Sequence, residues 1–283
     1  KIGVRWQPTK NLLLRATYSE AFRAPSIFET SPATQTSFTF GIKDPVKCVN
    51  GDEPDCLIDV KRFQRGNPDL KPEKSDVWNL GVVFEPTANS SISADVYQIK
   101  REDEIGSFAD QLLVDQFPND PYIVVRDPVT GSIQSINQVP VQLNKTKMSG
   151  LDIEGRVRIP MEQRGRLELR GNLSYIHEYE FTTLGDDATQ TTSSRNGPFS
   201  YPRVRGGWNI IWSYGAHKTT LNGYYIHSYD QLSSSPSPTK VGAVGIWNLL
   251  WKWNVSKNFT VNAAVLNLFD TDPPFADTTA DSN

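Results

Sequence analysis

The connections along this chain are short on one side and long on the other, and that asymmetry constrains its fold most. The short ones fall at 8–11, 87–90, 160–165, 215–217 and 256–258, and the long polar ones at 20–75, 102–147, 180–202 and 230–241. The segments they join alternate apolar and polar residues with period two. Short turns at one end, long loops at the other and dyad alternation between them are the pattern of an antiparallel transmembrane β-barrel. A soluble sandwich or propeller has no reason to keep its long loops at one end.

The alternation is read directly from the residues. Leu151, Ile153, Val157 and Ile159 oppose Asp152, Glu154, Arg156 and Arg158. Leu167, Leu169, Leu173 and Tyr175 oppose Arg166, Glu168, Arg170 and Asn172, and Val204, Trp208, Ile210 and Trp212 oppose Arg203, Arg205 and Asn209. A strand of roughly 10 residues is about 33 Å long. Tilted by about 45° it rises roughly 24 Å, the height of a barrel's apolar band. Trp6, Trp212, Tyr214 and Trp253 fall beside short turns, and Tyr18, Tyr175 and Tyr229 beside long loops. These are the expected aromatic girdles. The spacing predicts an all-β fold, about ten strands forming one segment of a larger barrel, because nothing shows that ten strands close on themselves.

Composition agrees. Only 37% of the 283 residues are hydrophobic, and no run approaches the apolar length of a membrane helix. A barrel strand needs lipid-compatible residues on one face only, so a membrane is not excluded. A net charge of −3 without a large basic patch argues against nucleic acid. Cys48 and Cys56 flank an Asn50-Gly51 turn in one long loop. In an oxidising compartment they are expected to pair; free thiols are the alternative, and a metal site of two cysteines without histidine is disfavoured.

Four motifs carry a resemblance. They are Phe22-Arg23-Ala24-Pro25 leaving the second strand, Asn67-Pro68-Asp69-Leu70-Lys71-Pro72-Glu73 before the third, Ser149-Gly150-Leu151-Asp152 opening the fifth, and Asn267-Leu268-Phe269-Asp270 after the last. In this order, on strand–loop boundaries, the chain resembles the carboxy-terminal part of TonB-dependent outer-membrane receptors over essentially its whole length. The residues also have a local reading. Pro25, Pro68 and Pro72 remove backbone donors and stop strand pairing. Arg23 and Glu73 are placed to pair at the rim. The motifs are therefore expected to terminate and orient strands rather than to bind substrate.

The resemblance implies a 22-strand barrel with a plug inside it. Residues 1–283 would be the carboxy-terminal portion, with the plug and the closing strand lying elsewhere. It implies a Gram-negative outer-membrane location, with lipid, the receptor's own plug and, through it, TonB as partners. It implies energised uptake of a scarce nutrient, such as a ferric siderophore or an oligosaccharide, bound at extracellular loops. Haem receptors of this family place a ligating histidine between the first two motifs. Between Pro25 and Asn67 there is none, which disfavours haem. A passive porin and a soluble β-rich carbohydrate-binding domain are the rival readings.

No nucleophile–base–acid set, cofactor motif or metal-ligand spacing is visible, so no catalysis and no cofactor are expected. Arg156, Arg158, Arg166, Glu168, Arg170, Arg203 and Arg205 are the candidates for a lumen-facing polar wall. Paired catalytic carboxylates need unequal environments, whereas these arginines would keep both Glu154 and Glu168 ionised. The loop 102–147 is expected to hold a hairpin, 122–126 with 132–138, turning at Asp127 to Gly131.

Overall fold

In the computed structural model, residues 1–48, 56–184, 190–194, 201–231 and 239–275 are described. The chain opens with the hairpin β1 (Ile2–Thr9) and β2 (Leu12–Arg23). The first long connection holds α1 (Ile27–Thr30), β3 (Thr34–Lys43) and β4 (Leu57–Arg65). A second hairpin follows, β5 (Glu73–Thr87) and β6 (Ser90–Gly106). The next long connection holds α2 (Asp110–Gln116), β7 (Val124–Arg126) and β8 (Ile133–Gln138). Then come β9 (Val141–Pro160), a 3₁₀ turn (Glu162–Arg164), β10 (Arg166–Leu184) and β11 (Gln190–Ser194). The chain continues through β12 (Val204–Tyr214), β13 (His217–Ile226), β14 (Tyr229–Gln231) and β15 (Thr239–Val241). It ends in β16 (Val244–Asn254) and β17 (Thr260–Val265).

One antiparallel sheet dominates. Its path, β1-β2-β5-β6-β9-β10-β12-β13-β16-β17, keeps sequence order once the strands of the long connections are set aside, and β11 adds only to β10. Register fixes the two faces. Leu169 lies opposite Val157 and Ile210, while its neighbour Arg170 lies opposite Arg156 and Asn209. Because the side-chain period is two, one such pairing assigns the residues of those strands to a face as far as the first bulge. Large apolar residues are left uncovered: Val4 is 62% exposed, Leu80 55% and Val96 45%. No helix among the described residues is long and apolar enough to cross a membrane, which says nothing of strands.

The central strands run longer than the ten residues expected, while β12, β13 and β16 keep to 10 or 11. β6 has 17, β9 20 and β10 19. Register shifts near Arg101–Ile105 and Ile176–Glu178 let the ladders continue to Gly106↔Val141 and Thr182↔Lys145. A bulge absorbs one mismatch without ending the pairing, so polar residues beyond a lipid-length segment still satisfy their backbone groups in the ladder. For the same reason Ser149–Asp152 lies inside β9 instead of opening it.

The long connections are not loose loops. β3-β4-β8-β7 form a second sheet, in which β4 and β8 run parallel. The expected hairpin is β7 with β8. Ile42, Val60, Leu113, Val114, Val124, Ile133 and Ile136 make a core against α2, joined by Ile58, Phe108 and Ile123. Each fully buried aliphatic side chain contributes roughly 1.5–3 kcal/mol, enough to hold this small unit together.

Candidate functional site

Three constellations lie along the polar face and the long-connection end. The first is a wall of ion pairs. Arg15 reaches Asp95 with Nε at 2.9 Å and Nη2 at 2.5 Å. The two residues are on β2 and β6, and Gly81 of β5 sits between them in register. A Cβ on Gly81 would lie 2.1 Å from Asp95 Oδ1 and 2.7 Å from Arg15 Nε. Glycine is what lets the guanidinium cross the intervening strand. Further along, Glu168 accepts from Arg170 at 2.7 Å and lies 3.2 Å from Arg156 and 3.7 Å from Arg158. Its side chain is 8% exposed. A buried carboxylate needs such partners to remain charged. A recess of about 500 Å³ on this face is lined by Arg15, Glu154, Arg156, Arg170, Asn172 and Asn209, among others. Arg166, opposite Pro160 and Ser213, shares the face with Glu168. Arg205, opposite Ser174, stands toward the other end of β12. Arg203 lies just before β12, where its Nη1 donates to the His177 carbonyl at 3.5 Å. The structure thus gathers Arg156, Arg158 and Arg170 on Glu168 and sets Arg203 and Arg205 apart from it.

The second is a knot where the long connections leave the sheet. β2 ends at Arg23 and β5 begins at Glu73, and the two face each other in register. Arg23 donates to Glu73 at 2.7 and 2.6 Å and to Glu29 at 3.1 Å through each terminal nitrogen. Glu73 Oε1 also accepts the Ile105 amide at 2.8 Å. Glu29 and Ser26 form a capping box at the start of α1, which satisfies two otherwise orphaned amides. Arg23 above all, with the Ser26 amide and hydroxyl, outweighs burial and holds the Glu29 carboxyl down at about 2. Asn67 donates its amide to the Glu29 carbonyl at 2.7 Å and its side-chain nitrogen to the Pro140 carbonyl at 3.0 Å. Its Oδ1 accepts from the Asp69 amide at 3.0 Å, and Leu70 donates back to its carbonyl at 3.4 Å. Phe22 and the segment Ala24-Pro25 flank the knot, and Pro68 and Pro72 lie in the unpaired stretch before β5. Two motifs distant in sequence therefore close one junction.

At the opposite end of the chain, Asn267 and Asp270 take positive φ, 50° and 48°. Asparagine and aspartate tolerate that region better than most residues. Asn267 Oδ1 accepts the Thr271 amide, Leu268 donates to the Trp247 carbonyl and Phe269 sets its edge on Trp247. The motif turns the chain out of the sheet.

The third constellation is the small sheet of the long connections, whose key pair the sequence did not single out. Arg126 grips Asp44 with two nitrogens, at 2.7 and 2.8 Å, and donates to the carbonyls of Pro118 and Gly131. The Asp44 side chain is 3% exposed. Burial pushes its carboxyl up, but Arg126 and the amides of Val46 and Lys47 together hold it below the ordinary range. The signal was hidden because Asp44 and Arg126 are far apart in sequence and each sits among other charges. Cys48 and Cys56 are joined by a disulfide. Phe38 and Phe40 on β3 stand 57% and 73% exposed. Among the described residues no group of three or more His, Cys, Asp or Glu could hold a metal.

A family model described as TonB dependent receptor-like, beta-barrel, matches residues 1–268. No curated protein matches the sequence. Among solved structures, a mutant of the ferric enterobactin receptor PfeA from Pseudomonas aeruginosa is 17% identical, with a TM-score of 0.66 over 95% of this chain and 34% of that one. The siderophore receptor PirA from Acinetobacter baumannii is 14% identical, with a TM-score of 0.65 over 95% of this chain and 36% of that one. PirA from Pseudomonas aeruginosa is 18% identical, with a TM-score of 0.55 and coverages of 95% and 38%. At these identities the likeness shows the fold alone. The chain spans little more than a third of the length of these structures.

Proposed function

Since this chain belongs to the TonB-dependent receptor β-barrel family, we propose that it forms part of the wall and the exterior loop platform of an outer-membrane receptor for a ferric siderophore. The observation that carries this reading is the two-faced sheet. One face leaves Val4, Leu80 and Val96 uncovered; the other is lined by ion-paired arginines. The apolar face meets lipid, and the polar face lines the lumen and meets the plug of the intact receptor. The short turns face the periplasm, and the knotted long connections stand outside the cell. A folded, cross-linked platform loses less entropy on capturing a ligand than free loops would. Siderophore is favoured over oligosaccharide by the receptors PfeA and PirA, which share the fold. Transport is powered through TonB, and the wall itself performs no catalysis.

The test uses the intact receptor in iron-starved cells. Uptake of a radiolabelled ferric siderophore should depend on the receptor gene and stop when TonB is deleted. Uptake that survives TonB loss would favour the passive-porin reading. Uptake of oligosaccharide alone would move the substrate class and leave the barrel reading standing.

A further inference from the structure

The apolar face carries, at its short-turn end, a feature that uptake does not use. Trp212 and Tyr214 of β12 hold their rings parallel, 1° apart in plane and 6.0 Å between centroids. Trp212 Nε1 donates to the Arg164 carbonyl at 2.9 Å, fastening the ring to the turn between β9 and β10. Gly165 in that turn has φ +86°, and a Cβ there would lie 2.1 Å from the Ser213 carbonyl oxygen. The turn is therefore pressed against the end of β12. Between the two lies a recess of about 490 Å³, lined by Met161, Gln163, Arg164, Trp212 and Tyr214 and almost wholly apolar.

This is an amphiphilic shape. Indole and phenol rings settle at the level of lipid headgroups. The aromatic row continues on the next strands, where His217 lies beside both Trp251 and Trp253, at 5.7 and 5.6 Å. Arg164 stands exposed at the mouth of the recess, with Glu162 as the acidic residue of its own turn. A guanidinium recognises phosphate by paired, charge-assisted hydrogen bonds. Apolar walls below a cation suit a phosphate that carries an acyl chain, since free phosphate gains nothing from them. Resting on the membrane reading above, we propose that this recess holds one anionic glycerophospholipid of the periplasmic leaflet. Its phosphate lies on Arg164 and an acyl chain lies along Met161 and Trp212.

The full receptor, purified in mild detergent, should be mixed with equal amounts of phosphatidylglycerol and phosphatidylcholine and weighed by native mass spectrometry. One phosphatidylglycerol is expected to be retained in preference. Arg164→Gln should lower that retention about fivefold, the effect of one basic residue at a membrane surface, and Arg164→Lys should restore most of it. Equal retention of the two lipids, unchanged retention in Arg164→Gln, or displacement by excess inorganic phosphate would each overturn the proposal. Wild-type selectivity decides the matter even where a variant fails to fold. Failure of the membrane reading looks different: the protein would need no detergent and would show no heat-modifiable migration.

Discussion

The large sheet and the small sheet of the same chain are built inside out relative to each other. In the small sheet and the helix α2 packed on it, Ile136 and Val114 are fully buried and Val124 is 1% exposed. In the large sheet the aliphatic residues lie outward and Glu168 is 6% exposed. One sequence thus carries two opposite burial patterns. Residues that leave water in the small unit gain by packing on each other. In the receptor proposed above, those on the large sheet gain by meeting lipid, where only a closed ladder satisfies every backbone group. Charge follows the same division. Asp44 and Arg126 are buried as a pair inside the small unit, while the arginine wall gathers on the polar face of the large sheet.

The sharpest way to break this contrast is Asp44→Ala. It strands Arg126 in the core of the small sheet, and removing one partner of a buried pair costs about 3–5 kcal/mol. Hydrogen exchange should show β3, β4, β7 and β8 opening, while the heat-resistant migration of the barrel stays as it was. Loss of both together would mean that the two sheets form one cooperative unit.

Leu169→Arg comes next. Facing mid-bilayer lipid, it should destabilise by about 2–4 kcal/mol in liposome refolding. Arg170→Leu should be milder, because Arg156 and Arg158 remain beside Glu168. The two positions are adjacent, so only the period-two facing separates them. Equal stabilities would remove the face assignment.

Replacing Cys48 and Cys56 together by serine should release about 2–3 kcal/mol of local order from the small unit. Barrel migration should not change, and ligand affinity should fall. Two free thiols found by mass spectrometry of unreduced receptor would dispose of this expectation.

The smallest effect is that of pH on the knot. The folded Glu29 carboxyl is held at about 2 against an ordinary 4.5. Its contribution is therefore full above the ordinary value and is lost only as pH falls through about 2. A carboxyl titration by NMR in detergent should find Glu29 ionised at pH 3.5. A midpoint near the ordinary value would show that Arg23 does not hold it.

The two faces of the large sheet, one apolar and one polar, were legible because each takes one residue class at every second position. The pair Arg23–Glu73 was legible from its place at the strand ends. Glu29, which completes it, was not, since a lone glutamate in a short helix has no periodic neighbour. Strands β3 and β4 escaped notice for a related reason. Phe38, Phe40 and Ile42 do alternate with polar residues, but they lie inside a long connection, and the bulge at Thr39–Ile42 separates their facing, so that Ile42 is buried while Phe38 and Phe40 stand exposed. Glycine 81 carried no signal either, because its role appears only when Arg15 and Asp95 are placed on either side of it.

The parallel pairing of β4 with β8 has a consequence for assembly. The hairpin of β5 and β6 lies between them in the chain. The small sheet therefore takes its halves from before and after that hairpin, and it cannot be finished until the chain has passed through β5 and β6 and come back. With β8 beside β4, both ends of the intervening hairpin are tied to one unit, and the same unit brings Arg126 to Asp44.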